Sequence, residues 1–181
     1  MITPEEADDY SQPGYEAEPG HEYLAFAATV WNAGPGPLVV DGFRTPGASI
    51  MQAYQSFYDA NGKRRTYAPT GSMEYDPRAG HEHWHFLDFA TYQLRKQDGT
   101  TVRSQKEAFC LAPTDAVDLK VKGAQWRPAS TGLETACGYT TALGIRETLE
   151  AGWGDTYGQY LPGQAFDITG LPNGTYTVEV V

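Results

Sequence analysis

From residue 23 onward the chain alternates apolar and polar positions with a period of two, and it is cut repeatedly by glycine, proline and asparagine. Tyr23 to Trp31 reads as a strand that runs into Asn32-Ala33-Gly34-Pro35-Gly36-Pro37, a strong turn signal. Ile50 to Tyr58 reads as a second strand, closed by Asp59-Ala60-Asn61-Gly62, whose Asn-Gly pair favours a hairpin with Arg64 to Ala68 returning. His83 to Leu94 is a third long run, stopped near Asp98-Gly99. Glu107 to Leu111, Gln164 to Thr169 and Thr175 to Val181 complete the set, with Pro172-Asn173-Gly174 turning the last pair. Thr140 to Ala151 alone carries helical periodicity. Many short strands between turns predict an all-β sandwich with long loops and at most one or two short helices.

Composition refines this picture. A length of 181 residues suits one domain with generous loops, and 12 Tyr, 7 Phe, 4 Trp, 20 Gly and 12 Pro suit a β protein. No run approaches the ~18 apolar residues of a membrane span. The net charge of −10 is uneven: seven of the 23 acidic residues fall in the first 22 positions, which hold no Lys or Arg. Residues 1–22 therefore read as an acidic, solvated leader in which His21 is a solvent residue, and 23–181 as the β domain. The one basic cluster, Lys63-Arg64-Arg65, is too small for a nucleic-acid face. The opening, MITPEEADDY, lacks the basic and apolar blocks of a signal peptide. The closing TYTVEVV reads as mid-strand, so the C-terminus is expected to be truncated.

The chemistry concentrates in His81-Glu82-His83-Trp84-His85, which holds three of the four histidines. On a strand, positions i, i+2 and i+4 project to one face, roughly 6.7 Å apart, so three imidazoles can converge on one ion. Three neutral nitrogen ligands suit copper or zinc and leave coordination positions open. Cys110 and Cys137, with 26 residues between them, are too sparse for a cysteine-rich zinc site. They form either one disulfide, worth about 3 kcal/mol on loop-entropy grounds, or two buried thiols. A disulfide places the protein outside a reducing cytosol.

Three segments together resemble the lysyl oxidase family. His81-Glu82-His83-Trp84-His85 followed by Phe86-Leu87-Asp88 is similar to its copper-binding segment, Lys106-Glu107-Ala108-Phe109-Cys110-Leu111 to the segment of its cofactor lysine, and Gly154-Asp155-Thr156-Tyr157-Gly158 to that of its cofactor tyrosine. Leu24 to Asn32 precedes them, and Phe166-Asp167-Ile168-Thr169 and Gly174-Thr175-Tyr176-Thr177-Val178 follow, in the family's order. The resemblance implies His81, His83 and His85 as Cu(2+) ligands, Lys106 and Tyr157 as the pair that cross-links into lysine tyrosylquinone, and Cys110–Cys137 as a disulfide. It also implies a secreted protein acting with O2 on a primary amine or a basic peptide. Gly80 stands where animal members have a cysteine, and the cysteine-poor chain looks like the bacterial branch. The calcium-binding segment of some members falls beyond Val181, so calcium is not expected.

These residue types fit that chemistry. Copper lowers the pKa of a nearby phenol and has the redox states that zinc lacks. The Lys106 amine attacks the oxidised ring only when deprotonated, which burial favours. The quinone then takes up a substrate amine as a Schiff base and acts as electron sink. A base removes the α-proton, hydrolysis frees the aldehyde, and O2 restores the quinone with release of H2O2 and ammonia. Asp155 and Asp88 are the candidate bases; strand alternation turns Asp88 away from the histidines, which favours Asp155. The competing functions are a copper-binding β-sandwich module without catalytic activity, and a zinc hydrolase using the three histidines and a metal-bound water.

Overall fold

The computed structural model describes residues 18–59, 62–77, 82–126, 137–159 and 164–181, with the backbone alone at 88 and 103–107. Twelve strands follow in chain order: β1 (Tyr23–Ala25), β2 (Ala28–Trp31), β3 (Leu38–Phe43), β4 (Ile50–Tyr58), β5 (Arg64–Asp76), β6 (His83–Lys96), β7 (Thr101–Phe109), β8 (Asp115–Ala116), β9 (Gly144–Leu149), β10 (Trp153–Tyr157), β11 (Ala165–Asp167) and β12 (Tyr176–Val180). The fold is all-β and sandwich-like, as the alternation predicts; the described residues contain no helix.

A large antiparallel sheet runs β12-β6-β5-β4-β3-β9, with β7 also paired to β6. β6 is its hub. Its first residues pair with β5 (Met73↔Phe86 to Asp76↔His83) and its last with β12 (Tyr176↔Lys96), while β7 runs along its other edge. Two small sheets, β2-β10-β8 and β1-β11, supply the facing layer. Between the layers lie Val40, Met51, Met73, Trp84, Phe86, Tyr92 and Leu94 of the large sheet, with Phe109, Leu111 and Phe166. Phe26 fills the gap by meeting Tyr92 edge-on at 5.0 Å and stacking on Phe166 at 5.1 Å. Such ring pairs add to the area they bury.

Local chemistry explains where strands break. The expected strand from Tyr23 to Trp31 is split, because β1 pairs with β11 and β2 with β10. The turn after it forms as expected: Asn32 accepts from the Gly34 amide at 2.9 Å and donates to the carbonyls of Gly36 and Leu149. β5 runs past Ala68 to Asp76 because a bulge absorbs Thr70, with Tyr54↔Pro69 followed by Ala53↔Gly71. The bulge takes in Pro69, which has no N–H to offer, and Gly71 at φ 142°. Thr140 to Ala151 is not helical. Gly144–Leu149 instead pairs along its whole length with β3, a strand the alternation did not reveal. Ile145, Glu147 and Leu149 then point inward with a period of two, and pairing across the sheet overrides the helical spacing.

Residues 1–17 of the expected leader lie outside the described residues, but its last positions are docked on β11. The Glu22 carbonyl accepts from the Ile168 amide at 2.8 Å, and His21 Nδ1 sits 2.9 Å from Asp167 Oδ2. His21 is therefore a paired residue, not a simply solvated one. Its hydrogen bond with Asp167 raises the imidazole pKa above 6.5, while Thr169 and His21 together hold Asp167 down at about 2. A raised histidine stabilises the docking below pH ~6.5, and this is lost as pH rises through the higher folded value. A depressed aspartate stabilises it above pH ~4, and this is lost as pH falls toward 2. Docking of 18–22 is thus strongest between roughly pH 4 and 6.5, and His21→Ala should remove the alkaline arm. NMR shifts of the Glu22 and Ile168 amides followed through that range check this; shifts independent of pH would refute it.

Candidate metal and cofactor site

β6 opens directly on the histidines. Glu82, just before it, takes a left-handed φ of 44°, costly for a residue with a Cβ, and its carbonyl is held by the Tyr75 hydroxyl at 2.9 Å. The extended run therefore starts at His83, so only His83 and His85 share the straight strand geometry expected of all three; His81 lies outside the described residues. Cross-strand register sets His83 opposite Asp76 and His85 opposite Glu74. The two imidazoles converge, Nε2 to Nε2 at 2.9 Å, with ring centroids 4.7 Å apart. His85 is buried, and its other nitrogen, Nδ1, faces Asp76 Oδ2 at 3.7 Å. Beside it opens a cavity of about 340 Å³ lined by Glu74, Tyr75, Asp76, Pro77, His85, Leu87 and Ala108.

Among the described residues no group of three or more His, Cys, Asp or Glu side chains is arranged to hold an ion. What the described residues do contain is a converging imidazole pair with a carboxylate 3.7 Å behind it, within charge contact but beyond hydrogen-bond length.

A second cluster forms where the chain leaves β7. Residues 110–114 cross from the large sheet to the small one; the Thr114 amide finds backbone carbonyls, whereas side chains satisfy the amides of Cys110, Leu111 and Ala112. The Cys110 amide donates to Tyr157 Oη at 3.1 Å, the Leu111 amide to Glu147 Oε2 at 3.0 Å, and the Ala112 amide to the Asp155 carboxylate. Glu147 also receives the Phe86 amide. The Tyr157 ring packs against Phe109, centroids 4.4 Å apart.

Both carboxylates are buried, and Glu147 Oε1 and Asp155 Oδ2 find no hydrogen-bond partner among the described residues. Desolvation pushes the Asp155 carboxyl up to about 7 against the opposing Ala112 and Thr114 hydrogen bonds. It also drives Glu147 well above the carboxylate range, aided by repulsion from Asp155.

No protein-family model matches the chain, and no curated protein matches it significantly. The reading of the site therefore rests on its own geometry.

The structure brings His83 and His85 together, and separately brings Asp155 and Tyr157 together on β10. The two groups approach β6 from different sides. Trp84, Phe86, Ala90, Tyr92 and Leu94 occupy its buried even positions, and Phe109, which carries Tyr157, is the register partner of Phe86; the histidines occupy the odd positions. Between them the β6–β7 ladder is interrupted. Phe86 pairs with Phe109 and Ala90 with Glu107, so residues 87–89 face Ala108 alone. Lys106 stands opposite Thr91, four residues and about 13 Å of strand before Cys110. The side chains of Lys106 and Asp88 lie outside the described residues. Cys110 and Cys137 form a disulfide, Cα to Cα 5.9 Å. It ties Cys110, which carries the tyrosine hydrogen bond, to Cys137, whose carbonyl accepts from the Trp84 amide at 2.9 Å.

Sequence reasoning missed Asp76, Glu74 and Glu147. The first two were hidden because β5 was expected to stop at Ala68. Glu147 was hidden because it sat in a segment read as helix.

Proposed function

We propose that the chain is a copper- and quinone-dependent amine oxidase of the lysyl oxidase type. The observation that carries this reading is the convergence of the His83 and His85 Nε2 atoms beside a cavity walled by Glu74 and Asp76. Nitrogens this close would both reach one ion, and histidine nitrogens favour copper in the divalent series. His83 and His85, with His81, would hold the ion, with Asp76 beside Nδ1 of His85. Copper with O2 would supply the oxidising power that turns Tyr157, joined to Lys106, into lysine tyrosylquinone, whose ring serves as the electron sink for a primary amine.

The chain's own residues do the rest. Glu74 and Asp76 attract a cationic amine or a basic peptide to the cavity mouth. Asp155, two residues from Tyr157 and poised near neutrality, accepts a proton at Oδ2, which has no hydrogen-bond partner among the described residues. The core around Phe109 keeps water from the ring. The disulfide suits an oxidising compartment, and we infer an extracytoplasmic location from it. One observation favours a second reading, a copper-binding module without the quinone: Tyr157 is held on the core side by Phe109 and the Cys110 amide.

Copper-loaded, aerated protein decides between them. The oxidase should show a quinone absorption band, a phenylhydrazine adduct, a covalent link between the peptides bearing Lys106 and Tyr157, and H2O2 release with n-butylamine. All four should vanish in Tyr157→Phe. Removing copper before aeration, or His85→Ala, should prevent the link from forming. Stoichiometric copper binding with the two peptides unlinked would select the binding module; an unlinked, colourless protein that binds zinc and hydrolyses esters would select the zinc enzyme.

A further inference from the structure

On the outer face of the large sheet, remote in sequence from the histidines, β3, β4 and β5 enclose a hollow of about 240 Å³ lined by Asp41, Phe43, Tyr54, Ser56, Arg64 and Tyr67. Its floor is polar and buried: Asp41 is 5% exposed and Ser56 2%. The two are locked in a network in which the Ser56 hydroxyl donates to Asp41 Oδ2 at 2.8 Å and Arg146 Nε donates to Asp41 Oδ1 at 2.7 Å. The rim is aromatic and open. Phe43 is 56% exposed and Tyr67 59%, with Tyr54 edge-on to Tyr67 at 5.8 Å. Neighbouring arginines divide their roles. Arg65 is taken by Asp59, whereas the Arg64 guanidinium lies over the Tyr67 ring, 5.7 Å from its centroid.

A folding role alone does not account for this combination. The pairing of Asp41 with Ser56 and Arg146 offsets the cost of burying the floor, but leaving two large rings exposed above it adds no core packing. A ligand with a polar edge and an apolar face would use both. Of the charged groups that line the hollow, the Arg64 guanidinium disfavours a cationic amine and the Asp41 carboxylate on the floor disfavours an anion, so the two signs balance and a neutral ligand fits. The hollow is smaller than the roughly 300–1,000 Å³ of drug-sized sites, so it takes one small ring.

The geometry points to a saccharide-binding site that seats a neutral pyranose. The C–H face of the sugar would stack on Tyr67 and Phe43, whose ring faces are electron-rich, and its hydroxyls would meet Arg64 and the Asp41–Ser56 floor. This site is separate from the histidine cavity in residues and in ligand chemistry, so it stands whatever the fate of the oxidase reading.

The test is an NMR titration of the intact chain with cellotetraose, mannotetraose and chitotetraose, with n-butylamine and benzoate as charged controls. At least one tetrasaccharide should cause saturable shifts at the amides of Asp41, Tyr54, Ser56 and Tyr67. The controls should leave those amides unmoved. Tyr67→Ala and Phe43→Ala, both at exposed positions, should each weaken binding about tenfold, and His85→Ala should leave it unchanged. The proposal falls if no tetrasaccharide gives saturable shifts up to roughly 20 mM, well past millimolar affinity. It also falls if the shifts map elsewhere, if the rim variants bind as the parent does, or if the hollow answers to n-butylamine or benzoate and to no sugar.

Discussion

Replacing Asp155 by Asn should make the protein about 2 kcal/mol more stable at pH 8 and about 2 kcal/mol less stable at pH 4. The Asp155 carboxyl is buried on β10, and desolvation holds its pKa at about 7 instead of the usual value near 3.8. For an acid, a raised folded pKa works against the folded state as pH rises. Below pH ~4 both folded and unfolded chains carry the proton; between ~4 and 7 only the folded chain keeps it, so stability falls with each unit of pH and levels off above 7. The full difference is of the order of 4 kcal/mol. An asparagine never ionises, and its oxygen can still accept the Ala112 amide, but its new N–H donors enter a site where Oδ2 has no partner among the described residues. That costs about 2 kcal/mol, leaving a net gain of about 2 kcal/mol at pH 8. Glu147 is raised for the same reason and in part by Asp155 itself, so its own pH dependence should soften in the variant. Denaturant unfolding between pH 4 and 8 measures this, and parallel curves for parent and variant would show that Asp155 is ionised at no such cost. If Asp155 is also the base of the proposed oxidase, amine turnover should drop by about 10²–10⁴ in a protein that has become more stable. A merely structural carboxylate would give the gain in stability without that loss.

The second large effect concerns the disulfide. Cys110→Ser with Cys137→Ser removes a cross-link closing 27 residues of separation, worth about 3.5 kcal/mol of unfolded-state entropy. The loss should reach function as well as stability. The bond anchors the Cys110 amide, which donates to Tyr157, to the Cys137 carbonyl, which accepts from Trp84 between the two histidines. Loosening it frees the tyrosine and the imidazole pair from one another. On the proposed reading, the double variant at a temperature where it stays folded should form the Lys106–Tyr157 link several-fold more slowly under copper and air. Mass spectrometry over time, alongside thermal unfolding, tests both halves. Unaltered linkage kinetics in a destabilised variant would confine the disulfide to a structural role.

How much of this was legible beforehand depends on the range of the interactions involved. Alternation at Ile50–Tyr58 and from His83 to Leu94, and the Asn32 turn, are local signals, and they stand in the fold, where the second run extends to Lys96. β3 was lost because Leu38-Val39-Val40 follows directly on a proline-rich turn, and β9 because its spacing fits a helix as well as a strand until β3 pairs with it. The histidine motif was visible as composition, but the carboxylates around it were not. Glu74 and Asp76 reach the site only through the register of β5 on β6, set partly by the bulge at Thr70.

The amino-acid order by itself determined the all-β class, the turns, the clustered histidines and the acidic start, because each depends on neighbours within a few residues. Tertiary structure alone decided that His83 and His85 meet at Nε2 against Asp76, and that Tyr157, Glu147 and Asp155 cap three successive amides after β7. It also decided that Asp155 sits near neutrality, since desolvation depends on what the rest of the chain packs around a carboxylate and not on the residues beside it.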